Sequence, residues 1–210
     1  MDWQLPEYNL RMMLPEIILF LWALGVMTFD LVTRRRTGTT VGYLSLIGIL
    51  LTGLVMGFTG YGRGFSSMFF NDPLSLFFKI IFLGAAFLAI ASSFDIIRNK
   101  IVNHRGEYFG LILLSTVGMM FLSSSNELLS LYIGLELTTI PLFVLAAFYK
   151  DEKLSVEAGI KYFVVGVFSS ALLLYGLSFL YGLSATTDII QMKINLGLTH
   201  LAFKLSLIHI

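Results

Sequence analysis

Apolar residues run along the chain in six long stretches, and polar or glycine-rich segments separate them. The stretches cover residues 14–32, 41–60, 74–95, 108–125, 127–149 and 159–183. About 20 residues of helix cross the roughly 30 Å hydrocarbon core of a bilayer, and each stretch is close to that length. The pattern therefore predicts an all-α fold, a polytopic transmembrane helix bundle. We interpret residues 1–183 as one membrane domain of six transmembrane helices, with no soluble domain between any two of them.

The composition supports a membrane protein and excludes several kinds of site. Of 210 residues, 57% are hydrophobic and 13% are charged, whereas soluble domains carry about 25% charged residues. The net charge of +1 gives no reason to expect a nucleic-acid partner. Without cysteine, the chain has no disulfide framework, thiolate metal site, iron–sulfur cluster or cysteine nucleophile. The histidines, His104, His200 and His209, are too scattered for a haem or zinc site.

Lysine and arginine are distributed unevenly between the connecting segments. Eight follow the first, third and fifth stretches: Arg34, Arg35, Arg36, Arg98, Lys100, Arg105, Lys150 and Lys153. The other segments hold three: Arg11, Arg63 and Lys193. Because cytoplasmic loops carry the excess of positive charge, the N-terminus is predicted outside and the triple arginine in the cytoplasm. The N-terminus lacks a basic leader and a cleavage motif, so the first stretch is predicted to be a retained span.

Glu136 is the most unusual residue, because it interrupts the fifth stretch near its middle. It follows Glu127, at the outer end of that stretch, by nine residues, which is about 14 Å of helix. A charge at that depth costs a few kcal/mol, so such residues face a protein interior or water and often mark ion paths. A carboxyl group whose ionisation is opposed by burial and favoured by a nearby amine can load and release a proton. We therefore predict that Glu136 transfers protons.

Three neighbours support this interpretation of Glu136. Tyr132 and Thr139 lie four residues before and three residues after it, on the same helix face, and provide hydroxyl groups. Pro141 has no N–H, so the carbonyl of Leu137 loses its helical donor and the helix can kink beside the acid. The alternative is structural: a protonated Glu136 that hydrogen-bonds a neighbouring helix.

The sixth stretch begins with a lysine, Lys161, that has both a functional and a structural interpretation. It can take part in proton transfer, or it can reach water at the interface and pair with Glu157, four residues earlier. Gly166 and Ser170 form a seam of small residues that predicts close approach of another helix.

The remaining ionisable residues of the apolar stretches lie nearer their ends. Lys79, in the third stretch, is predicted to extend its amine to the interface. Glu16, Asp30 and Asp95 are each interpreted as helix-terminus or interface residues.

Two segments carry a specific family resemblance. "GMMFLSSSNELLSLYIGLELTTIPLFVLAAF" and "SVEAGIKYFVVGVFSSALLLYG", together with "NDPLSLFFK" and "LPEIILF", closely resemble the chain N (subunit 2) family of the proton-translocating NADH–quinone oxidoreductase, respiratory complex I. The resemblance covers most of residues 12–183. This family shares its core with subunits of cation/proton antiporters and membrane-bound hydrogenases.

The resemblance implies a multi-pass subunit of about fourteen helices, built partly from inverted repeats, in the membrane arm of a complex in the cell inner (plasma) membrane. Glu136 matches the family's glutamate of helix five, Lys161 matches a lysine of the next helix, and Lys204 matches the helix-seven lysine that pairs with the glutamate. The implied partners are other membrane-arm subunits and the lipid bilayer. No cofactor is implied in this chain, because NADH, FMN, iron–sulfur clusters and quinone belong to partner subunits.

The last 27 residues depart from the family pattern. The stretch from Asp188 to Lys204 is too short for a loop and a full span, and the proline expected after helix seven is absent. We therefore interpret residues 184–210 as a truncated or aberrant C-terminal segment of an N-terminal fragment. Three functions stay open: a proton-translocating subunit of complex I, a subunit of an antiporter or membrane-bound hydrogenase, and a purely structural membrane scaffold.

Overall fold

The computed structural model describes residues 10–33, 39–65, 68–99 and 104–197. A 3-10 turn at Leu10–Met13 precedes the first helix. The helices are α1 (Leu14–Thr33), α2 (Thr40–Met56), α3 (Pro73–Ser92), α4 (Phe94–Asn99), α5 (Arg105–Ser124), α6 (Leu128–Ala146), α7 (Lys153–Ser184) and α8 (Ile189–Gly197). Two short strands, β1 (Gly62–Gly64) and β2 (Phe69–Asn71), form an antiparallel hairpin between α2 and α3.

The predicted all-α membrane bundle is confirmed. By length and composition, five described helices can cross a bilayer: α1 with its preceding turn, α3, α5, α6 and α7. Helix α2 is apolar but has 17 residues, and it ends at Met56 instead of at residue 60. After Met56, the N–H of Gly57 bonds back to carbonyls of the last helical turn. Helix α7 begins at Lys153, six residues before the predicted span, because polar residues continue the helix beyond its apolar part. The chain is thus a multi-pass membrane protein.

Helix α5 forms the centre of the bundle. It packs against α1, α2, α3 and α6, and its buried side chains include Phe109, Leu113 and Met120. Asp30 of α1 accepts a hydrogen bond from the N–H of Gly106 (2.8 Å) and so caps the start of α5, which confirms the helix-terminus interpretation of this acid. Helix α7 packs against α6 and is mostly exposed, with apolar residues around its circumference. Such a helix is typical of a membrane interior.

One end of the bundle, which we call the hairpin end, carries β1, β2 and residues 125–127. Phe69 of β2 forms a bridge with Ser125, and the N–H of Asn126 donates to the carbonyl of Met68 (2.9 Å). Helices α3 and α6 both start here, and Asp72 caps α3 by accepting a hydrogen bond from the N–H of Ser75 (2.7 Å). The hairpin end is the side predicted to lie outside. Residues 34–36, whose arginines carry much of that prediction, lie outside the described residues, so the orientation stays a prediction.

Candidate functional site

Glu136 lies well inside helix α6. The helix starts at Leu128, after the Glu127 side chain caps it by accepting hydrogen bonds from the N–H (3.1 Å) and hydroxyl (2.7 Å) of Ser130. Glu136 follows Leu128 by eight residues, so it lies about 12 Å along the axis. Its side chain is partly buried. A carboxyl group so far from either helix end needs polar partners within the bundle.

The partners of Glu136 come from its own helix and from α7. The hydroxyl of Ser170 on α7 donates a hydrogen bond to Oε1 of Glu136. The hydroxyls of Ser170 and Tyr132 are 3.1 Å apart and hydrogen-bonded. Tyr132 is therefore linked to the acid through Ser170, and the three side chains form one hydrogen-bonded chain across the α6–α7 interface.

The predicted seam of small residues on α7 is confirmed. Gly166 packs against the ring of Phe143 on α6, and a Cβ atom at Gly166 would collide with that ring. Ser170, one turn later, contacts Glu136. The sequence identified Ser170 as a small residue of this seam but not as a ligand of the carboxyl group. The only indication in the sequence was that Ser170 follows Gly166 by four residues, which places both on the face of α7 that packs against α6.

Helix α5 supports the other face of α6 at the level of Glu136. At Gly118, an added Cβ atom would lie 2.5 Å from the backbone nitrogen of Thr138 and 2.7 Å from the carbonyl carbon of Leu137. The Ser115 hydroxyl donates to the carbonyl of Thr138 (3.0 Å). The Ser115 hydroxyl of α5 therefore supplies a hydrogen bond to the α6 backbone within one turn of Pro141. Pro141 itself is buried, and the helix is continuous through it. Thr139 donates to the carbonyl of Leu135 (3.1 Å), so its hydroxyl is engaged by the backbone.

Lys161 lies on an exposed surface of α7, with 72% of its side chain accessible. Its amine is 2.5 Å from Oε1 of Glu157, as the spacing of four residues predicted. The two side chains line a cavity of about 530 Å³ together with Lys150, Asp151, Lys153, Val156 and Ile160. Within the described ranges, no base lies within ion-pair distance of Glu136. Lys204 lies outside the described residues.

Lys79 corrects its sequence-based expectation, because it pairs with Glu16 inside the bundle. Lys79 was expected to extend to the interface, and Glu16 was interpreted as a helix-terminus or interface acid. Glu16 does lie in the first turn of α1, as the helix-terminus interpretation expects. Both side chains are nevertheless buried, at 1% and 3% exposure, and Nζ of Lys79 lies 2.7 Å from Oε1 of Glu16. The expectation for Lys79 was wrong because the packing of α1 brings an acid to it, and nothing in the spacing of either helix reveals that partner.

Tyr149 lies between α6 and α7, outside the membrane-crossing helices. Its burial raises the pKa of the phenol above its usual value of about 10, and the neighbouring phenol of Tyr108 raises the pKa further. This side chain therefore stays neutral at physiological pH. Among the described residues, no three histidine or acidic side chains cluster as metal ligands would.

The fold is that of antiporter-like membrane subunits. The transmembrane family described as NADH:quinone oxidoreductase/Mrp antiporter matches residues 125–210. Two solved structures share the fold. A chain of respiratory complex I from Thermus thermophilus with bound aureothin matches 83% of this chain and 38% of its own, with a TM-score of 0.67 and 23% identity. A chain of an archaeal membrane-bound sulfane sulfur reductase matches 86% of this chain and 39% of its own, with a TM-score of 0.72 and 19% identity.

Curated relatives identify the family more precisely. NADH-quinone oxidoreductase subunit N of Trichlorobacter lovleyi is 39% identical over 184 residues, which are 86% of this chain and 37% of the relative. The subunit N of Moorella thermoacetica is 41% identical over 184 residues, 86% of this chain and 38% of the relative. The chain belongs to the subunit N family, and it spans about two fifths of the length of these relatives.

Proposed function

We propose that this chain is a proton-translocating subunit of the membrane arm of an NADH–quinone oxidoreductase, and that Glu136 accepts and releases the proton. The observation that carries the proposal is a carboxyl group about 12 Å inside a membrane helix, hydrogen-bonded by Ser170 and, through it, by Tyr132. The partners are other membrane-arm subunits and lipid of the cell inner membrane. NADH, FMN, iron–sulfur clusters and quinone belong to the partner subunits.

The hydroxyl chain gives a proton a short local path. Ser170 donates to ionised Glu136, and a hydroxyl can also rotate and accept, so the same group can serve the protonated acid. The phenol of Tyr132 extends this chain by one group along α6. Moving one charge across 100 mV requires about 2.3 kcal/mol. A neighbouring charge that changes the protonation equilibrium of Glu136 by about fiftyfold supplies that energy.

The proposal assigns the coupled charge to a lysine near Glu136. Lys161 is nine residues before Ser170 on α7, about 14 Å along the axis, and its amine is held by Glu157. It therefore acts as a lateral link and not as the direct partner. Lys204, from the family resemblance, is the proposed direct partner. A carboxyl group and an amine that are in contact titrate as a unit.

A second candidate is a subunit of a cation/proton antiporter or of a membrane-bound hydrogenase. The observation that favours it is the fold shared with the sulfane sulfur reductase chain, together with a family description that includes Mrp antiporters. The two candidates differ in their partners. Co-purification of the tagged chain with quinone-reducing subunits supports the first, and co-purification with antiporter or hydrogenase subunits supports the second.

The substitution Glu136→Gln in the assembled complex tests the relay. Glutamine keeps the shape and can hydrogen-bond Ser170 but cannot carry the proton. We expect a severe loss of proton translocation in membrane vesicles, with assembly intact. Glu152→Gln, at an exposed acid just before α7 whose side chain does not cap the helix, is the matched control and should retain far more translocation. Normal translocation by Glu136→Gln would favour the structural scaffold.

A further inference from the structure

The buried pair of Glu16 and Lys79 is not used by the proposed relay, although it is enclosed more completely than Glu136. Glu16 is the third residue of α1, and Lys79 lies six residues after the start of α3, about 9 Å along that helix. Both face the interior at the hairpin end. Ionisable groups inside a membrane domain are expensive and are functional candidates by default.

The ammonium of Lys79 is well satisfied. Besides Glu16, it donates to Oδ1 of Asn71 (3.0 Å) and lies 5.0 Å from the centre of the Phe69 ring. Asn71 is itself fixed, because its amide group donates to the carbonyl of Gly60 (2.9 Å). The positive charge therefore keeps two favourable contacts on β2 that do not depend on the charge of Glu16.

The carboxyl group of Glu16 is poorly satisfied by comparison. Apart from the proximity of the Lys79 ammonium, neither of its oxygens has a hydrogen-bond donor among the described residues. A buried carboxylate repays its desolvation only when further hydrogen bonds satisfy its lone pairs. Orphaned buried polar atoms indicate a place for water or for a proton.

We propose that Glu16 is a second proton-exchange site of this chain, which binds one proton at Oε2 while Lys79 stays protonated. The proton comes from water at the hairpin end, forms an O–H bond with Glu16 and returns to water on release. No electrons move, and the charge of the pair changes from zero to +1. Lys79 keeps its proton because Asn71 and Phe69 continue to stabilise the ammonium after Glu16 becomes neutral.

The other charged groups at the hairpin end are engaged or exposed. Arg11 is exposed, and the guanidinium of Arg63 lies 5.4 Å from the centre of the Phe70 ring. Asp72, Glu127 and Asp188 each accept a backbone N–H bond at the start of a helix, and Lys193 is exposed. The halves of α2 and α5 at this end carry no ionisable side chain. Lys79 is therefore the one described counter-charge in direct contact with Glu16, and replacing it should change the protonation of Glu16 directly.

Infrared absorption of protonated carboxyl groups tests the proposal in the assembled complex containing this chain, held in lipid nanodiscs and titrated with acid. We expect a buried-carboxyl band that grows as pH falls and is lost in Glu16→Gln. The band should persist in Glu136→Gln, which separates this site from the proposed relay. In Lys79→Met the acid loses its counter-charge, so its band should persist to higher pH than in the unmodified chain.

The variant Glu16→Gln with Lys79→Met removes both charges and leaves no unpaired buried charge, so it reports on the band if the single variant fails to assemble. Loss of the same band in this double variant also supports the proposal. The proposal is overturned if the spectra of Glu16→Gln, or of the double variant, lose no protonated-carboxyl band at any pH. The pair would then be permanently ionised and structural.

Discussion

The Ser170 hydroxyl donates a hydrogen bond to Glu136 across the interface between α7 and α6. The two helices come close enough because Gly166, one turn earlier on α7, accepts the ring of Phe143. The seam of small residues on α7 thus brings the Ser170 hydroxyl to the carboxyl group of Glu136. The packing of α7 against α6 and the proposed proton relay both depend on the four-residue spacing of Gly166 and Ser170.

Replacing Ser170 by alanine should impair the relay without disturbing the helix. The lost hydrogen bond to a charged group is worth about 1.5–3 kcal/mol, so we expect proton translocation to fall about tenfold or more. Proton uptake by vesicles containing the assembled complex measures the effect. Ser169→Ala is the control, because the Ser169 hydroxyl bonds to the carbonyl of Val165 on an exposed face. Equal translocation by the two variants would show that Ser170 has no part in the relay.

Gly118→Ala should destabilise the bundle at the level of Glu136. The added methyl group would lie 2.5 Å from the backbone nitrogen of Thr138, so α5 and α6 must separate. Overpacking of this kind costs about 1–3 kcal/mol. Thermal unfolding in nanodiscs should show a lower transition temperature. Gly84→Ala on α3 is the control, because nothing lies within 4 Å of its added Cβ atom. An unchanged transition in Gly118→Ala would contradict the close α5–α6 contact.

The buried ion pair should show strong coupling in a double-mutant cycle. Glu16→Gln removes the counter-charge of the Lys79 ammonium, which keeps its contacts with Asn71 and Phe69, so we expect a loss of stability smaller than the about 3–5 kcal/mol of a broken pair with no other partner. Glu16→Gln with Lys79→Met should recover much of that loss. The free energy of unfolding of the four proteins gives the coupling. The exposed pair of Glu157 and Lys161 is the comparison and should couple by less than about 1 kcal/mol. Additive effects at Glu16 and Lys79 would contradict the pairing.

The sequence predicted the helices well because each apolar stretch had to be long enough to cross a bilayer. It located Glu136 for the same reason, since an acid within such a stretch is conspicuous by itself. It also offered the pairing of Lys161 with Glu157 as one of two interpretations, because both residues lie on one helix at a spacing that brings them together.

Contacts between helices were harder to predict. Ser170 was recognised as a small residue but not as a partner of Glu136, because the rotation of α7 against α6 depends on packing. Lys79 was placed at the interface because it lies near one end of its apolar stretch, and its partner Glu16 is 63 residues earlier in the chain. A single sequence gives periodicity within a helix but not the pairing of side chains from different helices.

The most direct test of the account is a density map of the assembled complex that contains this chain, at a resolution that shows ordered water. The account predicts that the Glu136 carboxyl group faces the protein interior, bonded to Ser170, with an amine such as that of Lys204 or a chain of ordered waters beside it. A carboxyl group that points into lipid tails, with neither amine nor water near it, would contradict the account.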